Sequence, residues 1–203
     1  MSRQPVPRGP YVKGIARRRE IIEVALEVLA KEGLRNSTLQ EIASRVGITR
    51  PGLLHYFGSR EELLLAVLEE RDKRDLAAAA IEHDADGSLV GEAERALART
   101  KRSPGLARLY TALAGEATDP DHPAHEWFQR RYEHMRAMSR RDIEARIAEG
   151  TVDASVDVDA LTQLVPALMD GLQLQWLLDP DLDTTAALRM VVSCLLDHTS
   201  HQD

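Results

Sequence analysis

Apolar residues recur along most of this chain at the spacing of an α-helix. Leu39, Ile42, Ala43 and Val46 follow one another at i, i+3, i+4 and i+7, which gives a short helix one apolar face. No stretch alternates apolar and polar residues over a length that would favour a strand. The pattern therefore predicts an all-α protein.

Glycines, prolines and capping residues divide this pattern into helices. Gly33 and Gly150 are placed to end two of them, and Asp157 is placed to cap another. In chain order we predict Ile15–Glu32, Thr38–Val46, a short helix after Thr49, Ser59–His83, Ser88–Lys101, Gly105–Ala117, Ala124–Glu149, Asp157–Leu178 and Thr184–Asp197.

The densest signals lie between residues 38 and 60. Thr38 and Glu41 have the spacing of a capping box, in which each side chain satisfies a free amide at a helix start. Gly47 can take the positive φ that ends this helix. Thr49 can then cap a second short helix, with Pro51 in its first turn, where a missing amide costs little. Two short helices joined by a tight turn form a helix-turn-helix, whose second helix lies in the DNA major groove.

This stretch resembles the DNA-binding domain of the TetR family of bacterial repressors. Leu53 and Phe57 match the core positions of that family's recognition helix. Leu54 stands where the family commonly has an aromatic residue, so the resemblance implies the loss of one phosphate contact. Arg60 replaces the usual lysine and keeps its charge.

Carried over position by position, the resemblance implies DNA contacts from the second and third helices and from their neighbours. Gln40 and Arg50 suit the reading of bases, since Gln pairs with adenine and Arg with guanine through two hydrogen bonds. Arg60 is expected to hold a phosphate. The full implied set is Arg17, Thr38, Gln40, Thr49, Arg50, Pro51, Gly52, His55, Tyr56 and Arg60.

The formal net charge of −7 is distributed unevenly. Residues 1–60 contain 11 Lys and Arg against 5 Asp and Glu, whereas residues 61–203 contain 15 against 28. The first part can neutralise phosphates and the second repels them, which orients the protein on a duplex. We therefore predict a flexible basic tail at residues 1–14, a DNA-binding domain at 15–60 and an effector-binding and dimerisation domain at 61–203.

Composition excludes several other classes of protein. The single cysteine, Cys194, allows no intramolecular disulfide. The sequence has neither a signal peptide nor an apolar run of about 18 residues, so we expect a cytoplasmic protein that does not enter a membrane.

The segment from Asp119 to Glu126 contains two histidines and three carboxylates, which could be read as a metal cluster. We favour the alternative in which Asp121 caps a helix whose first residue is Pro123. No catalytic triad order, Gly-rich phosphate loop or paired carboxylate motif stands out. We expect no metal, no cofactor and no enzymatic activity.

A ligand pocket is implied by the family resemblance, among the helices of residues 88–178. The second domain is acidic and shows no obvious basic anchor, so an apolar or cationic small molecule is the expected effector. Side chains of suitable chemistry, which could equally be ordinary core, are Tyr110, Leu113, Trp127, Met135, Met138, Met169, Gln173 and Trp176.

The last two helices are apolar on more than one face. Gly171, in the middle of the first, costs about 1 kcal/mol of helix propensity relative to Ala, which suggests close approach by another helix. As in the resembled family, we expect a homodimer through residues 157–197; the alternative is an ordinary core within one chain.

Together these features predict a homodimeric transcriptional regulator, a repressor whose DNA affinity a small molecule relieves. The alternative is a helical small-molecule-binding or enzymatic domain that carries a vestigial DNA-binding motif. Salt-dependent binding to duplex DNA would separate the two.

Overall fold

The computed structural model describes residues 10–36, 39–82 and 89–197, and these fold into nine α-helices with no strand. The helices are α1 Pro10–Asn36, α2 Leu39–Val46, α3 Arg50–Phe57, α4 Arg60–Glu82, α5 Leu89–Lys101, α6 Pro104–Glu116, α7 His125–Ala148, α8 Val158–Leu178 and α9 Thr184–Asp197. The all-α prediction is confirmed.

Helices α1 to α3 form a compact three-helix unit. The apolar face of α2 is buried at Ile42, Ala43 and Val46, as its spacing predicts. Gly47 has a φ of +78° and ends α2, where an L side chain would be strained. The chain therefore turns sharply from α2 into α3, and the helix-turn-helix forms where local signals place it.

The first helix begins earlier than the sequence suggests. It starts at Pro10, so residues 10–14, predicted to belong to a flexible tail, are helical; residues 1–9 lie outside the described residues. A proline suits the first turn of a helix, which explains the start. Gly33 interrupts the helix with a φ of +69°, as predicted.

A single hydrophobic core joins this unit to the helices that follow. Ile21 and Leu29 from α1 belong to the same buried cluster as Val67 from α4 and as Leu109 and Phe128 from α6 and α7. The expected domain boundary after residue 60 is therefore not a break in the core.

The backbones of α1 and α6 come into direct contact at Gly105. A Cβ placed on Gly105 would lie 2.0 Å from the carbonyl oxygen of Leu29 and 2.9 Å from that of Ala30. Gly33 belongs to the same contact, since a Cβ built on Gly33 would lie 4.0 Å from the Cα of Gly105. Only glycine at 105 allows the two helices to approach this closely.

The start of α7 differs from the prediction. The helix begins at His125, and Asp121 does not cap it. Instead, the Asp119 carboxylate accepts from the amide of Asp121 at 3.0 Å, and Nδ1 of His122 accepts from the amide of Ala124 at 3.1 Å. These side chains satisfy backbone amides of the turn before α7, and the N-cap residue Ala124 makes no side-chain capping bond.

Within the described part of the chain, every helix is too short or too polar to cross a membrane.

The contact at Gly105 predicts a stability effect. Gly105→Ala should lower the free energy of unfolding by about 1–3 kcal/mol, because the new methyl group forces α6 away from the α1 carbonyls. Urea unfolding followed by circular dichroism measures this change. Gly115→Ala, in the same helix with open space around the glycine, is the matched control and should leave stability unchanged or slightly raised. Equal stabilities for the two variants would contradict the close approach.

Candidate nucleic-acid interface and cavity

Helix α3 presents opposite faces to the core and to solvent. Leu53 and Phe57 are buried at 0% and 3% exposure. Arg50, Pro51 and His55 are exposed on the other side. The helix is thus anchored by two apolar side chains and leaves one polar edge free to enter a groove.

The first turn of α3 is held by Thr49. Its Oγ1 accepts a hydrogen bond from the amide of Gly52 at 3.2 Å, and Pro51 lies in the first turn, as predicted. A Cβ on Gly52 would lie 3.2 Å from the same Oγ1, so this turn has little room for a side chain. Thr49 is therefore a structural cap as well as a candidate DNA contact.

Helix α2 contributes a second exposed polar group. Gln40 is exposed, and its Nε2 lies 3.4 Å from Oγ of Ser44. Ser44 is also exposed, one turn along, and it was not among the predicted contacts. Its i+4 spacing from Gln40 is the signal that could have found it. Thr38, predicted to contact DNA, lies outside the described residues.

Two arginines of α1 contact the helices of the helix-turn-helix. Nη2 of Arg17 donates to the carbonyl of Val46 at 2.7 Å, where a cation stabilises the carboxyl end of α2. The guanidinium of Arg18 lies 4.8 Å from the ring centroid of Phe57. Arg17, predicted to contact DNA, thus has a structural partner, and Arg18 packs against a core residue of α3.

The remaining predicted contacts flank the end of α3. Tyr56 is partly buried against the core, with its ring edge-on to His55 at a centroid distance of 6.0 Å. Ser59 Oγ accepts from the amide of Glu62 at 3.0 Å and starts α4 as a capping residue. Arg60 follows with a partly exposed side chain, and its Nη1 lies 4.0 Å from Oε1 of Glu61. The two candidates Tyr56 and Arg60 therefore lie at the end of α3 and at the start of α4.

A cavity of about 910 Å³ lies among α4, α5, α7 and α8, with Tyr110 from α6 at its inner end. This volume suits a small molecule. Six of the eight candidate ligand-binding residues line it, namely Tyr110, Trp127, Met135, Met138, Met169 and Gln173.

The other two candidates face elsewhere. Leu113 is fully buried in the core that α6 shares with α1, and it does not reach the cavity. Trp176 is buried on the inner face of α8, where Nζ of Lys101 lies 5.9 Å from its ring centroid. Both are apolar at helical spacing, and such spacing does not distinguish core from cavity lining.

The premise that the second domain lacks a basic anchor is wrong. Arg71 and Arg131 line the cavity, and both are largely buried. Arg71 Nε lies 3.3 Å from Asp75, and Arg131 forms an ion pair with Asp72. Net charge does not reveal these arginines, because residues 61–203 contain an excess of carboxylates, and only the tertiary structure places both arginines at the cavity.

Burial shifts the titration of the groups around this cavity. Loss of hydration lowers the pKa of Arg71 and of Arg131, and for Arg131 the neighbouring Arg71 charge lowers it further. Burial also raises the pKa of Asp170, although hydrogen bonds from Tyr132 and Tyr110 oppose that shift. Tyr132 donates to Asp170, and burial raises its own pKa to about 12.

The histidines considered as metal ligands have structural partners. Nδ1 of His125 lies 2.8 Å from the carbonyl of Ala117, and Nδ1 of His122 accepts from the amide of Ala124 at 3.1 Å. No group of three or more ligating side chains converges on one point in the described parts of the chain.

Two family models match the chain. Residues 21–67 match that of bacterial regulatory proteins of the tetR family, and residues 88–201 match that of the C-terminal part of BetI-type transcriptional repressors. The chain is 30% identical to the HTH-type transcriptional repressor AcnR of Corynebacterium diphtheriae over 159 residues, which cover 76% of this chain and 78% of that protein.

Solved structures show the same fold. A transcriptional regulator from Saccharomonospora viridis, in complex with choline, matches with a TM-score of 0.68 at 22% identity, over 91% of this chain and 97% of its own. FadR from Bacillus subtilis, in complex with stearoyl-CoA, matches with a TM-score of 0.69 at 17% identity, over 88% and 97%. These matches establish the fold, and the bound molecules belong to those proteins.

The cap at Thr49 can be tested separately from any DNA contact. Thr49→Ala should lower the free energy of unfolding by about 1 kcal/mol, since the Gly52 amide loses its acceptor. Thr49→Ser keeps the hydroxyl and should retain most of that stability. Thermal unfolding of both variants without DNA provides the measurement, and equal midpoints would show that the hydroxyl does not stabilise α3.

Proposed function

This chain belongs to the tetR family of bacterial regulatory proteins, and from that membership we propose how its residues bind DNA and respond to a small molecule. It is a DNA-binding transcriptional repressor, and the family is one of regulators rather than of enzymes. We assign operator recognition to α2 and α3 and the response to a ligand to the cavity behind α4.

The exposed edge of α3 is the observation that carries the DNA-binding proposal. Arg50 and His55 point outward on a helix whose opposite side is locked by Leu53 and Phe57. In this arrangement Arg50 and Gln40 read base edges, and Arg60 holds a phosphate at the start of α4. The remaining predicted contacts position the helix or approach the backbone of the duplex.

The outer face of α8 and α9 supports the proposal of a homodimer. Leu164, Leu174, Leu178 and Met190 are large apolar side chains exposed on these helices, Leu178 at 79% and Met190 at 69%. Gly171 lies on the same side of α8, and a Cβ there would meet nothing within 4 Å in its own chain. The inner face, with Leu172 and Trp176, is buried within the chain, so the outer face remains for a second copy.

The position of α4 supports relief of repression by a ligand. Its amino-terminal half packs in the core of the helix-turn-helix, and its middle lines the cavity. A ligand that binds better when α4 is displaced therefore weakens DNA binding, and operator DNA weakens ligand binding by the same factor. Coupling of about 1–3 kcal/mol is typical of such systems.

The two candidate arginines should affect DNA binding differently. Arg60→Ala should weaken binding to all duplexes alike and flatten the log–log salt dependence by about 0.9, because one phosphate contact is lost. Arg50→Ala should relax the preference at one base pair per half-site by about 1–3 kcal/mol. Gel shifts over a range of salt, with a duplex that the protein selects from a random pool and its single-base variants, measure both effects.

Arg108→Ala is the matched control for these variants. Arg108 is exposed on α6, so the substitution removes the same charge outside the helix-turn-helix and should leave both quantities unchanged. Identical losses on every base pair for Arg50→Ala and Arg60→Ala would contradict the division between base reading and phosphate contact.

The dimer proposal predicts a change in molecular mass. Gly171→Trp should yield a monomer in sedimentation, because the indole fills the surface on which the second copy packs, while open space around Gly171 lets the chain itself fold. Gly115→Trp, at an open glycine on α6, should remain dimeric. A dimeric Gly171→Trp variant would place the interface elsewhere.

A further inference from the structure

The wall of the cavity formed by α4 and α7 contains an arrangement of charges that indicates the chemistry of the ligand. Arg131 from α7 lies with its guanidinium 5.4 Å from the ring centroid of Tyr110 and 5.6 Å from that of Trp127. Aromatic faces at this distance attract a cation. The place that a ligand's ammonium group would prefer is thus already taken by a cation of the protein.

The guanidinium of Arg131 has a donor, Nε, that makes no hydrogen bond within the described residues. Its ion pair with Asp72 leaves Nε buried, with no hydrogen-bond partner among the described residues. A buried donor left unpaired costs free energy that a suitable acceptor recovers. Arg71 lies close enough for its charge to lower the pKa of Arg131. Two neighbouring guanidinium groups in a partly dry cavity favour a carboxylate or phosphate between them.

Three polar residues of α4 connect this wall to the rest of the molecule. Arg71 donates from Nη1 to the carbonyl of Leu106 at 3.2 Å, beside the close contact of α6 with α1. Asp72 pairs with Arg131 of α7. Arg74 binds Glu23 of α1 at 2.5 Å. The segment that touches the cavity is therefore also the segment that ties α4 to the DNA-binding unit.

We propose that the effector carries an anionic group on an apolar body, and that this group binds Arg131 and Arg71 in place of the Asp72 carboxylate. This inference rests on the proposed relief of repression by a ligand. The apolar body lies against Leu76, Met135, Met138 and Met169. Loss of the ion pair between Asp72 and Arg131 frees the middle of α4, and the displacement reaches α1 through Arg74.

Asp170 is one of five carboxylates among the described residues that line the cavity and oppose such a ligand, together with Asp72, Asp75, Glu92 and Asp142. It lines the cavity, accepts from Tyr132 and lies near Arg131. Its burial raises its pKa, which reduces the charge that an incoming anion would meet. A cationic ligand would bind these carboxylates and an anionic one the arginines, so the two ligand classes depend on different residues and can be separated by experiment.

Three probes with the same eight-carbon chain test the head group, namely octanoate, octylamine and 1-octanol. The full-length protein carries Trp176→Phe, so that Trp127, which lines the cavity, is its sole tryptophan. Without DNA, octanoate should change the Trp127 emission saturably, with an affinity about tenfold or more above that of the other two probes. Octylamine binding more tightly, octanol binding equally well, or no saturable response to octanoate would each overturn the proposal.

Calorimetric measurement of octanoate binding to substituted proteins tests whether the site is at Arg131. Arg131→Gln should weaken octanoate binding about tenfold or more, since the charged fork is lost. Arg136→Gln, which removes the same charge from α7 outside this cavity, should not. Equal effects of the two substitutions would mean that octanoate is attracted by charge in general rather than bound at Arg131, which overturns the proposal.

Asp72→Asn gives the most discriminating result. It should bind octanoate more tightly, because the competing carboxylate is gone, and bind the selected duplex more weakly, because α4 has lost its tie to α7. General structural damage would weaken both. Glu133→Gln, the same change at an exposed position of α7, should alter neither. If Asp72→Asn weakens both or changes neither, the displacement of Asp72 by the ligand is wrong.

Release of DNA separates this inference from the broader function. Octylamine that releases the duplex would support relief of repression by a ligand and overturn the anionic head group. Octanoate that binds at Arg131 without releasing the duplex would support the head-group assignment and contradict the relief of repression. Octanoate that both binds and releases the duplex supports the two together.

Discussion

The backbone contact between α1 and α6 at Gly105 is the constraint on which the rest of the structure depends. Because Gly105 has no Cβ, the start of α6 lies directly against the Leu29 and Ala30 carbonyls. This approach merges the apolar face of α1 with those of α4, α6 and α7 in one core. A close-packed core transmits displacement instead of absorbing it. The DNA-binding helices therefore share one hydrophobic core with helices that line the cavity.

Helix α4 takes part in both proposed functions, DNA binding and the response to a ligand. Its apolar side supports the helix-turn-helix, while Arg71, Asp72 and Arg74 form polar contacts with α6, α7 and α1 respectively. Polar contacts can exchange partners at modest cost, whereas a packed apolar side resists sliding. In the proposed relief of repression, a ligand changes the position of α4 by altering ion pairs in its middle, and the apolar side carries that change to α3.

The cavity shows why net charge is a poor guide to ligand chemistry. The second domain is strongly acidic, yet Arg71 and Arg131 line its interior and an arginine occupies the aromatic faces of Tyr110 and Trp127. Carboxylates on the surface are hydrated and screened, so they say little about a partly buried site. What a ligand meets is decided by the few groups that burial has removed from water.

The sequence by itself determined the features that depend on neighbours along the chain. The end of α2 at Gly47, the cap at Thr49 and the burial of Leu53 and Phe57 follow from spacing within one or two turns, because capping and helical periodicity are local. Only the tertiary structure decided which apolar side chains belong to the core and which line the cavity. Spacing could not separate Leu113 and Trp176, which are core, from Met135 and Met169, which line the cavity. Nor could spacing pair Asp72 with Arg131 across 59 residues, since this contact between α4 and α7 exists only in the folded chain, where both side chains are largely removed from water.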